Sequence, residues 1–249
     1  MADMGTRFTT EGLVIKEMKV GESDRLVTLF TKEYGLIKAF ASGAENIKSK
    51  KNSSTSLLTY ASFTILNKKG TYRIYEAAPI SRFFTIGADI EILAISQYFC
   101  ELGLTFAQSD EPNTELLRLL LNSLHFLTKE KRYPPLIKAI TEFRTAVISG
   151  YMPDFVACNN CGKFEDSVMY FNMEEGSILC SECGKYGTPI DKTLLSALRH
   201  ITYSEFKKLY SFEIPESSAD RLSQITSEYI TIQSGQKFSS LDFLNSFDL

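Results

Sequence analysis

Arg25-Leu26-Val27-Thr28-Leu29-Phe30, Lys32-Glu33-Tyr34-Gly35 and Leu36-Ile37-Lys38-Ala39-Phe40 follow one another almost without interruption. Two short apolar runs rich in strand-forming residues are joined by a polar stretch ending in glycine, which reads as a strand, a turn and a strand. On the N-terminal side, Leu13-Val14-Ile15-Lys16 is a third such run, set off by the turn residues Gly21-Glu22-Ser23-Asp24. On the C-terminal side, residues 42–56 are rich in Ser, Asn and Lys and are expected to form a loop that buries nothing. Two further strands are predicted over 57–66 and 71–77, flanking the hairpin-type turn Asn67-Lys68-Lys69-Gly70. Five strands within 85 residues predict a small barrel. An OB-fold is the leading candidate, since closing the sheet removes exposed strand edges.

From Asp89 the apolar period becomes helical. Ile92, Leu93, Ile95, Phe99 and Leu102 mark one helix, which ends near Asp110-Glu111-Pro112-Asn113. Thr114 is placed to cap a second, with Leu117, Leu120, Leu121, Leu124 and Leu127 inward. Pro134-Pro135 opens a third, closed by Gly150, and two more are expected around 194–201 and 219–232, the last closed by Gly235. The predicted class is α+β and multidomain. A five-stranded OB-fold barrel over 1–85 precedes an all-α domain over 86–249, with a Cys-rich module inserted at 154–190.

That insert carries the most specific motif. Cys158-Asn159-Asn160-Cys161-Gly162 and Cys180-Ser181-Glu182-Cys183-Gly184 are two C-x-x-C knuckles at the spacing of a four-thiolate zinc site. Two cysteines three apart on a tight turn can hold one metal, and four thiolates fill its tetrahedral shell, leaving no position for substrate. The expectation is one structural zinc on Cys158, Cys161, Cys180 and Cys183. A pair of disulfides suits an exported chain, but Met1–Arg7 does not open a secretory signal. A thioredoxin-type C-x-x-C belongs at a helix start in a βαβ unit. A zinc deaminase needs His-x-Glu, which neither His125 nor His200 supplies. Cys100, among Tyr98, Phe99 and Leu102, reads as an inert core thiol.

No P-loop, dinucleotide-binding glycine motif or nucleophile elbow occurs, so no enzyme is expected. The apolar runs are too short to span a bilayer. The formal charge of −3 over 249 residues argues against a polyanion partner only until it is divided by position. Residues 1–85 hold 13 Lys and Arg against 8 Asp and Glu, a net +5, and the remainder carries −8. A basic N-terminal third points to a polyanion-facing surface there. Alternation places Arg73 with Tyr75 on one strand face, and Lys38 with Leu36 and Phe40 on another. Lysines 68 and 69 sit at the hairpin tip, and Lys48, Lys50 and Lys51 in the polar loop. Cations that track phosphates beside rings on which bases stack are what a single-strand binder needs. Arg25, Lys38, Lys48, Lys50, Lys51, Lys68, Lys69 and Arg73 are therefore the candidate DNA contacts.

With these residues assembled, the chain resembles the bacterial recombination mediator family RecO, in its zinc-bearing form. The resemblance is carried by Glu11–Lys16, by Gly21-Glu22-Ser23-Asp24-Arg25-Leu26-Val27-Thr28-Leu29-Phe30-Thr31, by Tyr34-Gly35 and by Ala41-Ser42-Gly43-Ala44. It continues through Gly150-Tyr151-Met152-Pro153-Asp154 before the first knuckle, Phe171–Cys180 before the second, and the closing Ser240-Leu241-Asp242-Phe243-Leu244. It implies a non-enzymatic DNA repair and recombination mediator. Such a protein binds single- and double-stranded DNA, anneals complementary strands and helps RecA replace single-strand-binding protein. Implied partners are RecR and the acidic tail of single-strand-binding protein, which Arg118, Lys129, Lys131 and Arg132 could receive; the implied location is cytoplasmic and nucleoid-associated. The alternative is a protein-interaction adaptor with only secondary DNA contact. One departure stands out: after the Gly-Ala pair the family usually has two basic residues, and Glu45-Asn46 stand here.

Overall fold

The computed structural model describes residues 5–46, 48–84 and 89–246. By packing, they fall into two compact units: the residues up to Glu130 together with those from Ser239, and Lys131–Phe238.

The first unit opens with β1 (Thr6–Val20), β2 (Asp24–Thr31) and β3 (Gly35–Ala41), then a short helix α1 (Lys50–Ser54), then β4 (Thr59–Lys68) and β5 (Thr71–Arg82). The strands close in the order β1-β2-β3-β5-β4, antiparallel except where β3 meets β5, which is the OB-fold arrangement. Alternate residues turn inward, and Val14, Val27, Leu29, Ile37, Ala39, Phe63, Ile65 and Ile74 fill the barrel. The first three predicted strands are the apolar centres of longer ones, β4 begins two residues beyond its predicted start, and β5 runs on from 77 to Arg82. β1 begins at Thr6, because backbone pairing with β4 continues past the last apolar residue as Thr6↔Asn67 and Arg7↔Leu66.

The polar stretch 42–56 corrects the expectation of a loop that buries nothing. It contains α1, capped where Ser49 Oγ accepts from Lys51 N, and its Ser54 and Thr55 are fully buried. They can be buried because their hydroxyls are bonded: Ser54 Oγ donates to Ala77 O, and Thr55 Oγ1 to Lys51 O.

Three further helices among the described residues share this unit: α2 (Ile90–Phe106), α3 (Thr114–Thr128) and α7 (Ser239–Asn245). Asn113, not Thr114, caps α3, its side chain accepting from Leu116 N. Both residues are competent caps, and the chain takes the earlier. The N-terminus of α7 is held by Glu101 of α2, whose carboxylate accepts from Ser239 N, Ser239 Oγ and Ser240 N. The segment after α2 is tied to the barrel where Leu36 N donates to Gln108 O. Gly35 makes that approach possible: it sits at φ +59°, and a Cβ there would lie 2.3 Å from Gln108 O and 2.4 Å from Glu111 O. Gly35→Ala should cost about 3 kcal/mol or more, measurable as a lowered urea midpoint, because a left-handed backbone and a clash with fixed carbonyls add.

The second unit contains α4 (Pro134–Ile148), α5 (Lys192–Tyr203) and α6 (Glu216–Ser234), the last ended by Gly235 at φ +62°. Within the Cys-rich insert lies an unpredicted three-stranded sheet of β6 (Val168–Asn172), β7 (Ser177–Cys180) and β8 (Thr188–Asp191), ordered β7-β6-β8. Phe143 of α4, Phe155, Phe171 of β6 and Tyr229 of α6 stack with ring centroids 4.8–5.8 Å apart. This buried cluster joins the insert to the helices.

Candidate metal centre and nucleic-acid interface

The four knuckle cysteines converge. Every Sγ of Cys158, Cys161, Cys180 and Cys183 lies within 4.8 Å of the others. Cys161 Sγ and Cys180 Sγ are 3.7 Å apart. A tetrahedral metal about 2.3 Å from each sulfur has an edge of ~3.8 Å, whereas a disulfide needs ~2.05 Å. The donor set therefore fits a metal ion. β7 ends at Cys180, and the sheet orients the two turns. Asn159 N donates to Ile178 O, Gly162 N to Cys158 O, and Gly184 N to Cys180 O.

The turns also aim backbone at sulfur, as where Cys180 N donates to Cys158 Sγ at 3.3 Å. Burial opposes ionisation of Cys158, yet N–H donors from Cys180, Cys161 and Asn160 prevail and bring its thiol down to about 6. At Cys183 a hydrogen bond with Asn160 favours the thiolate, but the neighbouring Cys161 and Cys180 sulfurs and burial push it up to about 12. Thiolates this close repel one another, a repulsion that a bound cation would offset. Around it, Arg199 of α5 donates to the carbonyls of Phe155, Val156 and Phe164 and covers the Phe164 ring at 4.0 Å. Asp166 is held well below the usual carboxylate range by the Ser181 hydroxyl and by the N–H groups of Ser167 and Ser181. Cys100 is buried, and burial pushes its thiol up to about 12, as expected of an inert thiol.

On the barrel, strand register builds one outward row: Met18↔Leu26↔Phe40↔Arg73↔Leu66↔Arg7. Met18, Arg73 and Arg7 are exposed, while Leu26, Phe40 and Leu66 are half-buried. Two residues along from Arg73, Tyr75 is 55% exposed, with the Arg7 guanidinium 4.0 Å from its ring centroid. Lys38 lies exposed two residues before Phe40, in register with Thr28, which Lys16 flanks on the other side. Lysines 68 and 69, both exposed, stand at the hairpin, where Lys69 (φ +52°) and Gly70 (φ +80°) make the tight turn. Lys51 Nζ donates to Ile74 O, so α1 delivers a cation between Arg73 and Tyr75.

Strand register thus sets Lys38, Lys68 and Arg73 outward, Lys69 is exposed at the turn, Lys51 reaches the β5 backbone at Ile74 O, and Lys48 is exposed just before α1. The Lys50 side chain lies outside the described residues. Arg25 stands apart. It is 8% exposed, on the strand face that Val27 and Leu29 turn into the barrel, and its guanidinium pairs with Glu17 at 3.1 Å and Glu45 at 2.8 Å. Residue alternation alone places Arg25 with Val27 and Leu29, a signal that opposes reading it as a surface cation. Arg7 escapes the sequence reading because the predicted first strand begins at Leu13. Its alternation with Thr9 and Glu11 is the available clue.

Two family models match the chain: Recombination protein O N terminal over residues 4–83 and Recombination protein O C terminal over residues 87–242. Among relatives described as DNA repair protein RecO, that of Acetivibrio thermocellus is 34% identical over 242 residues, covering 96% of each chain. That of Caldicellulosiruptor saccharolyticus is 29% identical over 234 residues, covering 94% of this chain and 96% of its own. A barrel of OB topology, a four-cysteine cluster and matches in both halves agree: the chain belongs to the RecO family of DNA repair proteins.

Proposed function

We propose that the chain is a non-enzymatic recombination mediator that binds single- and double-stranded DNA on the outer face of its barrel and anneals complementary strands. The convergence of Arg7, Lys38, Lys51 and Arg73 with the rings of Phe40 and Tyr75 on that face carries this reading. Pairing two strands brings their phosphates together, and a basic surface offsets that repulsion. An exposed ring such as Tyr75 holds unpaired bases by stacking, in a manner tolerant of sequence, with the half-buried Phe40 beside it. Lys48, Lys50, Lys68 and Lys69 extend the track, and residues 1–85 act as the DNA-binding domain. The helical domain proposed over 86–249, with the module at 154–190 inserted in it, is divided by packing: α2, α3 and α7 lie in the barrel's unit and α4, α5 and α6 in the other.

Cys158, Cys161, Cys180 and Cys183 would hold a structural zinc, whose role is to staple an insert with too little core of its own. The resemblance supports RecR, RecA and the tail of single-strand-binding protein as partners, in a cytoplasmic, nucleoid-associated setting. No helix among the described residues is long and apolar enough to cross a membrane.

The test is annealing of complementary oligonucleotides, followed by fluorescence across a salt series. The rate should rise several-fold above the uncatalysed one at low salt and fall steeply as salt increases. Annealing that is insensitive to salt and unchanged by Lys38→Ala/Arg73→Ala would favour the alternative, an adaptor with only secondary DNA contact.

A further inference from the structure

Arg25 is a buried charged side chain near the start of β2, and its guanidinium contacts among the described residues are two acids and the segment that carries the lysines. Nε donates to Glu45 Oε1 at 2.8 Å, and Nη1 reaches Asn52 O, Thr55 Oγ1 and Ser56 Oγ at 3.3–3.4 Å. The same Nη1 pairs with Glu17 Oε2, which also accepts from Leu57 N. Around this hub, Glu45 N donates to Ser23 O, Gly43 N to Asp24 Oδ1, and Asn52 Nδ2 to Ala44 O. Residues 43–46 and 48–57 are thereby fastened to β1 and β2 through a buried guanidinium paired with two partly exposed carboxylates.

We infer that Arg25 is a positioning residue, and that the Glu17–Arg25–Glu45 triad sets the 43–57 segment so that its lysines lie along the strand-binding face. The inference rests on the DNA-binding reading proposed above and assigns Arg25 a place behind the interface, not on it. It also gives Glu45 a reason to stand where the family usually has a basic residue. A buried guanidinium needs a carboxylate partner, and here the loop supplies one. The pair with Glu45 then holds the loop that presents Lys48 and Lys51.

The consequence has a counterintuitive sign. Removing an acid beside a DNA-binding face ordinarily tightens binding to a polyanion. If the triad positions the lysines, Glu45→Ala should instead weaken binding of a labelled single-stranded oligonucleotide, by about 3- to 10-fold near 0.1 M salt, as expected for loss of about one phosphate contact.

The experiment measures fluorescence polarisation with the full chain for Glu45→Ala, Arg25→Met, Lys48→Ala/Lys51→Ala and their combinations, with thermal unfolding alongside. Positioning expects Arg25→Met to add little once Lys48 and Lys51 are gone, since coupled residues are non-additive. It also expects segment 43–57 to become sensitive to limited proteolysis in Glu45→Ala while the barrel still unfolds cooperatively. Tighter or unchanged binding by Glu45→Ala overturns the inference even if Arg25→Met fails to fold. Additive loss from Arg25→Met, with the salt slope lower by about one contact, makes Arg25 a direct ligand and overturns it too. If Lys48→Ala/Lys51→Ala changes nothing, the contact set itself fails along with the inference. If that pair weakens binding and Glu45→Ala does not, only the positioning role fails.

Discussion

Cys158→Ser should yield a chain that retains no metal and whose second unit loses about 4 kcal/mol or more of stability, the range reached when a structural metal is lost. The expectation follows from where Cys158 sits. It is 3% exposed, its sulfur accepts from Cys180 N, and its backbone closes the first knuckle through Lys163 O and Gly162 N. Serine offers a hydroxyl that does not ionise near neutrality, so three thiolates would face an incomplete shell. The damage should not stay local. Phe155, three residues upstream, stacks on Phe143 and Phe171, and Phe171 on Tyr229. Loosening the knuckle therefore frees one corner of the core that ties the insert to α4 and α6.

Elemental analysis of the purified chain should find one zinc in the parent and none in Cys158→Ser, and chelator should convert the first into the second. Because the ligands bind as thiolates, acid acts in the same direction as chelator. Cys100→Ser should keep the metal, which separates the loss of a ligand from the loss of any buried sulfur. Full stability in a metal-free parent would refute the structural role.

Legibility in the sequence follows the range over which each feature is determined. The four-cysteine group is legible because each knuckle is local: two cysteines three apart, followed by a glycine. The strands are legible where an inward residue alternates with an outward one, as in Ile37, Lys38, Ala39 and Phe40. The sheet inside the insert is not, since β7 and β8 span four residues each, too few for alternation to register. The fate of residues 42–56 is also hidden. Ser54 Oγ donates to Ala77 O, 23 residues away, and Thr55 Oγ1, besides its local bond to Lys51 O, accepts from Arg25, 30 residues away. No window centred on those residues contains that information. The departure at Glu45 is visible as a charge change, but its physical meaning requires the fold that brings it to Arg25, 20 residues away.

The barrel face offers the second large effect, and its members should separate by how they fail. Lys38→Ala/Arg73→Ala removes two exposed cations. With a salt exponent of about −0.7 per phosphate on single strands, the double variant should lower the slope by about 1.4 and binding by roughly 20-fold near 0.1 M salt. Tyr75→Leu should behave differently. Stacking of a base on an aromatic ring contributes about 1–3 kcal/mol, so affinity should fall from several-fold to about a hundredfold with the slope unchanged. Arg7→Ala should show both signatures, because Arg7 is a cation in its own right and lies over the Tyr75 ring. The chain has no tryptophan. Tyr75→Trp therefore places a single reporter on the face, and its emission should be quenched in step with oligonucleotide binding. A slope that stays fixed in Lys38→Ala/Arg73→Ala, or an indole signal in Tyr75→Trp that ignores bound strand, would move the DNA off this face. The slope decides between the two kinds of residue because counterion release counts charges alone, and a neutral ring contributes nothing to it.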